Sequence, residues 1–276
     1  MSDLSKKNLA AWCIVPFDAC KRGPRERAEM LKRLGIRSLA YDWRKEHLPT
    51  FDDEIAELRE RDLQMTAFYL ICQWPQSEAA AEQDTLLLKS LAFLKRSSLE
   101  IDIWITYAGE GTRETDPDED RYASGARRVD VLARILHSQG CRLGIYNHGG
   151  WGGLPATMVE IVKRVESPNV GIVYNFHHGH DHMADMPDAL NLMRPHLIGL
   201  NLNGTTAGGP KILPIGQGEE DRRIIQMVAD LDYDGPIGIL DHRPDTDAEE
   251  SLKANLSGLH SLLADLGHKD EAETYL

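Results

Sequence analysis

Short apolar runs alternate with amphipathic segments along the whole chain. The runs are too short for most helices and are bounded by Gly, Pro, Asn or Asp, which is typical of buried strands. They lie at 9–15, 36–43, 63–70, 100–109, 141–153 (which includes a glycine-rich turn), 169–178, 196–205 and 235–244. Helical spacing follows at 24–35, 54–62, 78–95 and 119–138, after Pro155, and at 248–267.

This alternation predicts the fold class. Each crossover helix returns the chain to the same edge, so the strands pair in parallel. Eight βα units without a composition break favour an α/β protein with one (β/α)8 TIM barrel domain over residues 1–276. A doubly wound open sheet is the alternative, but the first strand leads into "PFDACKRGP" without a GxGxxG fingerprint.

Composition narrows the partners. The formal net charge is −13, which argues against nucleic acid because phosphate contacts need clustered Lys and Arg. No apolar run is long enough to span a membrane, and the N-terminus lacks the apolar core of a signal peptide. We therefore expect a cytoplasmic protein that acts on a small molecule, with a homo-oligomer left open. The four cysteines lack CxxC spacing and suit free thiols.

Polar residues collect where the predicted strands end. In a barrel, function gathers at these carboxyl ends, so this pattern predicts a polar pocket. The interleaved Trp and Tyr suit the apolar faces of sugar rings. The residues in chain order are Asp18, Asp42, Trp43, Arg44, Cys72, Trp74, Tyr107, Glu110, Asn147, His148, Trp151, Asn175, His177, His178, Asn201, Asn203, Asp241, His242 and Arg243.

Strand alternation predicts which of these side chains converge. In strand five, Arg142 is a poor core residue, so we expect Leu143, Ile145 and Asn147 to face inward. The same reasoning places Asn175 inward with Val173. We further expect Asn201 and Asn203 to face the barrel while Leu200 and Leu202 face the helices. Asp241 should face the barrel together with Ile237 and Ile239.

Several motifs resemble the xylose isomerase-like barrel superfamily, within it the sugar phosphate isomerase/epimerase group. They are "ERAEMLKRLGIRSLAYDW", Asn175-x-x-His178, "PIGQGEEDRRII" and "YDGPIGILDH", and the resemblance spans nearly the whole chain. It implies one divalent metal with four ligands: a Glu on strand five, the Asp of a D-x-x-H motif on strand six, a His on strand seven and a Glu on strand eight. In this chain these positions hold Asn147, Asn175, Asn201 and Asp241.

These departures change the expected metal chemistry. Neutral amides bind hard cations such as Mn²⁺ weakly, whereas imidazoles prefer Zn²⁺, Ni²⁺ or Co²⁺. We therefore carry one divalent metal (Zn, Mn, Co or Ni) as a hypothesis, with His148, His178, Asp241 and His242 as its candidate ligands.

The function that this pattern favours is isomerisation or epimerisation of a sugar or keto-sugar by proton abstraction next to a carbonyl. The predicted catalytic residues are Asp241, His178, His148 and His242. The predicted substrate-binding residues are Asn147, Asn175, Asn201, Asn203, Trp151, Glu110, Arg243 and Lys211. Two alternatives stay open: a lyase or hydratase on keto-glycosides, and a sugar-binding barrel without catalysis.

Two weaker signals concern the rim of the barrel. Loops after strands seven and eight often bind phosphate in this fold, so Gly216-Gln217-Gly218 with Lys211 is either a phosphate loop or a plain connection. Asp42 and Glu110 are isolated carboxylates that fit a substrate contact or a solvated loop equally well.

Overall fold

Eight parallel strands close into a barrel in the part of the chain that the structure describes. This computed structural model describes residues 1–240 and 242–276, without the side chain of Asp181. Each strand pairs with the next, and the last pairs with the first, which confirms the single (β/α)8 barrel. The strands are β1 (Leu9–Trp12), β2 (Ser38–Tyr41), β3 (Gln64–Tyr69), β4 (Asp102–Thr106), β5 (Arg142–Tyr146), β6 (Val170–Asn175), β7 (Leu197–Leu202) and β8 (Ile237–Leu240).

Helices fill the crossovers and pack on the outside of the barrel. They are α1 (Pro24–Leu34), α2 (Phe51–Glu60), α3 (Glu78–Ala81), α4 (Thr85–Arg96), α5 (Asp118–His137), α6 (Pro155–Arg164), α7 (Met186–Met193), α8 (Asp221–Asp230), α9 (Ala248–Leu266) and α10 (Lys269–Glu273). Short 3₁₀ turns lie at Lys6–Asn8, Lys45–Thr50, Trp151–Gly153, Phe176–His182 and Arg194–His196. None of the described helices is long and apolar enough to cross a bilayer.

The predicted helix over 78–95 is divided in two. Asp84 interrupts it because its carboxylate accepts hydrogen bonds from the backbone N–H groups of Leu86 and Leu87, both at 3.0 Å. This is the N-cap arrangement that starts a new helix, α4. The apolar spacing runs through the break, so periodicity alone could not reveal it.

Aromatic rings, together with smaller aliphatic side chains, fill the inside of the barrel. Trp12 and Trp104 lie edge to face at 4.8 Å between ring centroids, and Trp104 and Tyr146 stack at 6.2 Å. Glycine makes room for them: a Cβ at Gly144 would lie 2.5 Å from Val173 and 3.3 Å from the Trp104 ring. Large rings in the centre therefore require a strand residue with no side chain beside them.

Strand five has the opposite alternation from the predicted one. Leu143 and Ile145 pack in the outer layer between strands and helices, while Tyr146 faces the barrel interior. The prediction was wrong because Arg142 was judged unfit for the interior. Arg142 is the first residue of β5, where an inward side chain reaches solvent at the lower rim and pairs with Asp102 at 2.7 Å.

The expectations for β6 and for residues 200–202 of β7 are confirmed. Val173 of β6 packs in the interior cluster, and Leu200 and Leu202 of β7 pack in the outer layer. Asn201 points inward, since a Cβ at Gly238 of β8 would lie 1.8 Å from its Oδ1 atom. The expectation for strand eight was wrong: Ile237 and Ile239 face the helices, because Asn201 fills the interior beside β8 and leaves room only for Gly238. Asp241 lies outside the described residues.

All four cysteines are free thiols. Cys13 and Cys141 are buried, Cys72 is half-buried and Cys20 is exposed. The described residues therefore contain no disulfide, which agrees with the spacing in the sequence.

Candidate active site

A narrow cleft with a cavity volume of about 50 Å³ lies at the carboxyl ends of the strands. Its lining comes from β1, β2, β3, β5, β6 and β8 and the loops that follow them: Trp12, Cys13, Asp42, Arg44, Tyr69, Tyr146, His148, Asn175, His177, His178, Leu240 and His242.

Aromatic side chains form the floor of this cleft. Tyr146 lies edge to face with Trp12 and with Tyr69, each at 5.9 Å between ring centroids. The Tyr69 hydroxyl lies 2.9 Å from the hydroxyl of Thr106. The floor therefore combines flat apolar surface with phenol hydroxyls, a pairing that suits the C–H face and hydroxyl groups of a sugar.

Four imidazoles form one wall. His178 lies 4.4 Å from His148 and 4.5 Å from His177, and His177 lies 5.5 Å from His242, all between ring centroids. His148 follows β5, His177 and His178 lie in the 3₁₀ turn after β6, and His242 follows β8. Three of the predicted catalytic residues are therefore brought together, with His177 added to them.

Burial keeps most of this wall uncharged at neutral pH. Burial, reinforced by the charges of neighbouring histidines, lowers the pKa of His178 to about 3 and that of His242 to about 4. Burial also lowers the pKa of His177. Neutral imidazoles can accept a proton or a hydrogen bond, which makes this wall a candidate general base.

Asp42 supplies a buried carboxylate on the β2 side of the cleft. It follows β2 directly, is only 3% exposed, forms an ion pair with Arg44 and accepts a hydrogen bond from the Cys13 thiol at 3.2 Å. Burial raises the pKa of the Asp42 carboxyl. From the sequence alone, Asp42 fitted a solvated loop position equally well, although an Asp directly after a buried strand was the available signal.

The backbone of Cys13 is unusual for its residue type. Its φ of 61° lies in the left-handed region, which L-residues other than Asn, Asp and Gly seldom adopt. β1 therefore ends at Trp12, before the predicted strand end at residue 15. The turn brings the Cys13 thiol to Asp42.

The amides of Asn147 and Asn175 are engaged inside the protein. Asn147 donates to the Asn175 carbonyl at 3.1 Å and accepts from the Asn175 N–H at 2.7 Å, as a neighbouring strand would. The Asn175 side chain accepts from the His177 N–H at 3.0 Å and donates to the Tyr146 hydroxyl at 2.5 Å. Asn175 lines the cleft, whereas Asn147 braces β6 from outside its lining.

Asn201 and Asn203 lie beside the cleft and are absent from its lining. Asn201 is fully buried, and neither atom of its side-chain amide has a hydrogen-bond partner in the described residues. Asn203 donates to the carbonyls of Gly204 at 2.7 Å and Lys211 at 3.0 Å, which fixes the loop after β7.

Glu110 and Trp151 lie apart from the cleft. The Glu110 carboxylate is exposed and accepts from the N–H of Ala108 at 2.9 Å, within its own loop. Trp151 stacks on Tyr122 at 5.2 Å between ring centroids, and the Arg121 guanidinium lies 3.9 Å from its ring centre. Trp151 therefore holds its loop against α5, and Glu110 stabilises the loop after β4.

Arg243 and Lys211 are also absent from the cleft lining. Arg243 donates to the Ser251 hydroxyl of α9 at 2.5 Å. The Lys211 side chain is exposed, and its carbonyl lies 3.1 Å from the His177 Nδ1 atom. The loop that carries Lys211 thus supports the imidazole wall through its backbone.

The glycine-rich loop after β7 holds a carboxylate of the chain itself. Asp221, the first residue of α8, is buried and accepts from the N–H groups of Thr205 and Gly216, both at 2.6 Å, and of Gly218 at 2.9 Å. A bound phosphate would need free backbone N–H groups of this kind. The Gly216-Gln217-Gly218 turn is therefore built around an internal anion.

A sequence profile of the xylose isomerase-like TIM barrel family matches residues 28–262. The chain belongs to this family. No curated protein sequence matches the chain with statistical significance.

This family member is similar to several solved structures at low identity. IolI, solved with a zinc atom, has 14% identity and a TM-score of 0.72 over 93% of this chain and 98% of IolI. The probable 3-DHS dehydratase AsbF from Bacillus anthracis has 16% identity and a TM-score of 0.69 over 91% and 98%. The 3-keto-D-glucoside 4-epimerase YcjR from E. coli has 14% identity and a TM-score of 0.67 over 93% and 100%. Identities this low show a shared fold.

Three of the four residues at the expected metal positions suit a divalent cation poorly. The side-chain oxygens of Asn147 and Asn175 already accept backbone N–H groups, which leaves them poor metal ligands. Asn201 is a neutral amide, and Asp241 lies outside the described residues.

One other group of metal-ligating side chains exists in residues 1–240 and 242–276. Ligand atoms of Asp18, Cys20 and Asp247 lie within 4.8 Å of one another, and no trio of the cleft histidines meets that limit. The Arg22 guanidinium lies 2.9 Å from Asp18 and 2.8 Å from Asp247. A protein cation therefore already balances these carboxylates.

Proposed function

We propose that this chain is an isomerase or epimerase of an unphosphorylated sugar or keto-sugar, acting by proton abstraction next to a carbonyl. The observation that carries the proposal is the juxtaposition, in one small cleft, of neutral imidazoles, a buried carboxylate and an aromatic floor. Perturbed pKa values of this kind cluster where proton transfer occurs. The fold shared with a 3-keto-D-glucoside 4-epimerase supports the same class of substrate.

His178 is the best candidate for the general base. Its ring lies against those of Tyr146, His148 and His177 in the cleft. A pKa of about 3 leaves it unprotonated near neutrality, although the same shift makes it a weaker base than an ordinary histidine. The C–H bond breaks, the proton moves to an imidazole nitrogen, and the bonding electrons flow toward the carbonyl oxygen. Delivery of a proton to the opposite face, from a second donor such as Asp42 across the cleft, gives an epimer, while the imidazole keeps the first proton until solvent removes it. Return of the proton to the neighbouring carbon gives an isomer, provided that the hydroxyl proton on that carbon also moves to the former carbonyl oxygen. His148, next to His178, is placed to share this work or to contact the sugar.

Asp42 and Arg44 complete the proposed site on the opposite edge. A raised pKa makes the Asp42 carboxyl easier to protonate, so it can exchange protons with a sugar hydroxyl. Arg44 limits that effect, because its guanidinium favours the charged carboxylate. Asp241 and His242 remain predictions for the β8 side.

A lyase or hydratase acting on keto-glycosides is the second candidate. The observation that favours it is the same Asp42 carboxyl, because a proton donor is needed when a leaving group departs after α-proton removal. AsbF, a probable dehydratase, shares the fold.

The proposal that the substrate carries no phosphate rests on Asp221. The backbone N–H groups that could hold a phosphate after β7 bind this carboxylate instead. Its negative charge would also repel a second anion. We therefore expect neutral sugars to bind at least tenfold more tightly than their phosphate esters.

Proton exchange with solvent tests the proposal. The protein is incubated in D₂O with D-fructose, D-tagatose, 3-keto-D-glucosides and the phosphate esters of the hexoses, and carbon-bound deuterium is followed by NMR. The proposed function predicts deuterium next to the carbonyl of a neutral sugar. Exchange with release of an alcohol would identify the lyase. Binding measured by calorimetry without exchange would identify a sugar-binding barrel and overturn the proposal.

A further inference from the structure

The Tyr146 phenol receives hydrogen bonds from two N–H donors at the floor of the cleft. The Asn175 Nδ2 atom lies 2.5 Å from the phenol oxygen, and the Trp12 Nε1 atom lies 3.4 Å from it. The orientation of the Asn175 amide is fixed independently, because its Oδ1 atom accepts the backbone N–H of His177 at 3.0 Å. The nitrogen must therefore face the phenol, and it can only donate.

Because the phenol oxygen accepts hydrogen bonds from two donors, its own proton remains available for a hydrogen bond to another group. A phenol oxygen can accept about two hydrogen bonds and donate one. The indole N–H and the Asn175 amide fill the accepting directions. In the part of the chain that the structure describes, no acceptor lies within hydrogen-bond distance of Tyr146, and its side chain lines the cleft. The O–H group is therefore free to donate to a bound ligand.

Burial ensures that this proton stays on the phenol. Removal of the Tyr146 side chain from water raises its pKa well above the usual value of tyrosine. Tyr146 is thus a neutral hydrogen-bond donor near neutral pH.

We infer that the Tyr146 hydroxyl donates the hydrogen bond that polarises the substrate carbonyl, so that it does the electrophilic work for which the resembled family uses a divalent metal. The inference rests on the proposed function and assigns one of its catalytic residues. As the C–H electrons move onto the carbonyl oxygen, that oxygen becomes anionic and its hydrogen bond from Tyr146 strengthens. When the proton returns to carbon, the charge and the extra strength disappear.

This assignment also accounts for the asparagine in the Asn175-x-x-His178 motif. A carboxylate at position 175 could only accept a hydrogen bond, so it would compete for the phenol proton. The amide donates to the phenol oxygen instead and leaves that proton for the substrate. Asn175 is in this view a positioning residue for Tyr146.

Tyr146→Phe tests the inference, with Tyr174→Phe as the matched control. Tyr174 is another buried tyrosine of the barrel, packs in the outer layer, and its hydroxyl has no hydrogen-bond partner in the described residues. With the sugar that exchanges in the wild-type protein, Tyr146→Phe should lower kcat for deuterium exchange about 100-fold or more, with KM changed less than about threefold. Tyr174→Phe should exchange at the wild-type rate.

The outcomes separate this inference from the proposed function. Wild-type exchange with an equally active, folded Tyr146→Phe overturns the role of Tyr146 and leaves the proposed function intact. No exchange in the wild-type protein overturns both. If circular dichroism shows that Tyr146→Phe is unfolded, Asn175→Asp decides. It should lower kcat whether or not Zn²⁺ or Mn²⁺ is added, and activity that rises with either metal would overturn the inference.

Discussion

Two buried aspartates, one at each end of the barrel, show what separates a structural polar pair from a candidate site. Asp102 begins β4 at the lower rim, and both of its carboxylate oxygens accept from the Arg142 guanidinium, at 2.7 and 2.8 Å. Asp42 follows β2 at the upper rim and shares its carboxylate between one Arg44 nitrogen and the Cys13 thiol. Burial raises the pKa of both carboxyls, so that shift alone does not identify function.

The surroundings make the difference. Both carboxylate oxygens of Asp102 are already paired with the Arg142 guanidinium. Asp42 faces a cleft shared with neutral imidazoles and with a phenol that has a proton to give. Unused hydrogen-bonding groups that face a cleft at the carboxyl ends of the strands are therefore a better indicator of a ligand site than a shifted pKa.

Among the variants that test this comparison, substitution of His178 should lower the rate of deuterium exchange the most. His178→Gln keeps a polar side chain but removes the base, so exchange should fall about 10²- to 10⁴-fold. His182→Gln, in the same 3₁₀ turn but outside the cleft lining, is the matched control and should be unaffected. Single-turnover exchange measured by NMR gives the result. Equal activity of the two variants would remove His178 from the proposed mechanism.

Neutralising each aspartate should sharpen the contrast. Asp42→Asn should lower kcat for exchange about 10- to 100-fold, because the variant loses a group that exchanges protons with the sugar. Asp102→Asn should leave exchange within about twofold and cost about 1 kcal/mol of unfolding free energy, since its Arg142 partner is half-exposed. Urea unfolding and exchange rates check both values. An active Asp42→Asn variant would make Asp42 as structural as Asp102.

The smallest expected effect is the change of kcat/KM with pH. A base with the ordinary histidine pKa would lose about 30-fold in kcat/KM between pH 7 and pH 5. Because burial lowers the pKa of His178 to about 3, we expect less than a threefold loss over that range. A half-maximal rate between pH 6 and 7 would contradict the assignment.

The same depressed pKa values predict a cost in stability. The unfolded chain binds protons at the histidines near pH 6.5, whereas the folded chain resists protonation of His178 and His242 until about pH 3 and 4. The unfolding free energy should therefore fall as pH drops below about 6.5, which urea titrations at several pH values would detect.

The barrel was readable from the sequence because strand and helix periods alternate without interruption. The location of the site followed from polar residues at strand ends, and the histidines at 148, 178 and 242 do line one cleft. The residues that form the floor of this cleft could not be predicted from the sequence. The inward face of β5 was assigned from Arg142, and a residue at the rim obeys different rules from one in the centre, so Tyr146 was missed.

Loop residues were hardest to predict. Trp151 and Glu110 follow strand ends in the sequence, yet Trp151 packs against Tyr122 and Glu110 binds its own loop. Strand alternation is lost where a loop begins, and contacts with distant helices then decide where each side chain points. The role of Asp221 as an internal anion likewise depends on three backbone N–H groups that no local pattern reveals.

The central claim is that side chains alone, without a bound metal, carry out proton transfer in this cleft. The most direct measurement is deuterium exchange by protein stripped of metal with a chelator and checked by elemental analysis, compared with the same protein given Zn²⁺ or Mn²⁺. We predict that the stripped protein keeps its full exchange rate and that neither metal raises it. Loss of exchange on stripping, restored by either ion, would contradict the account.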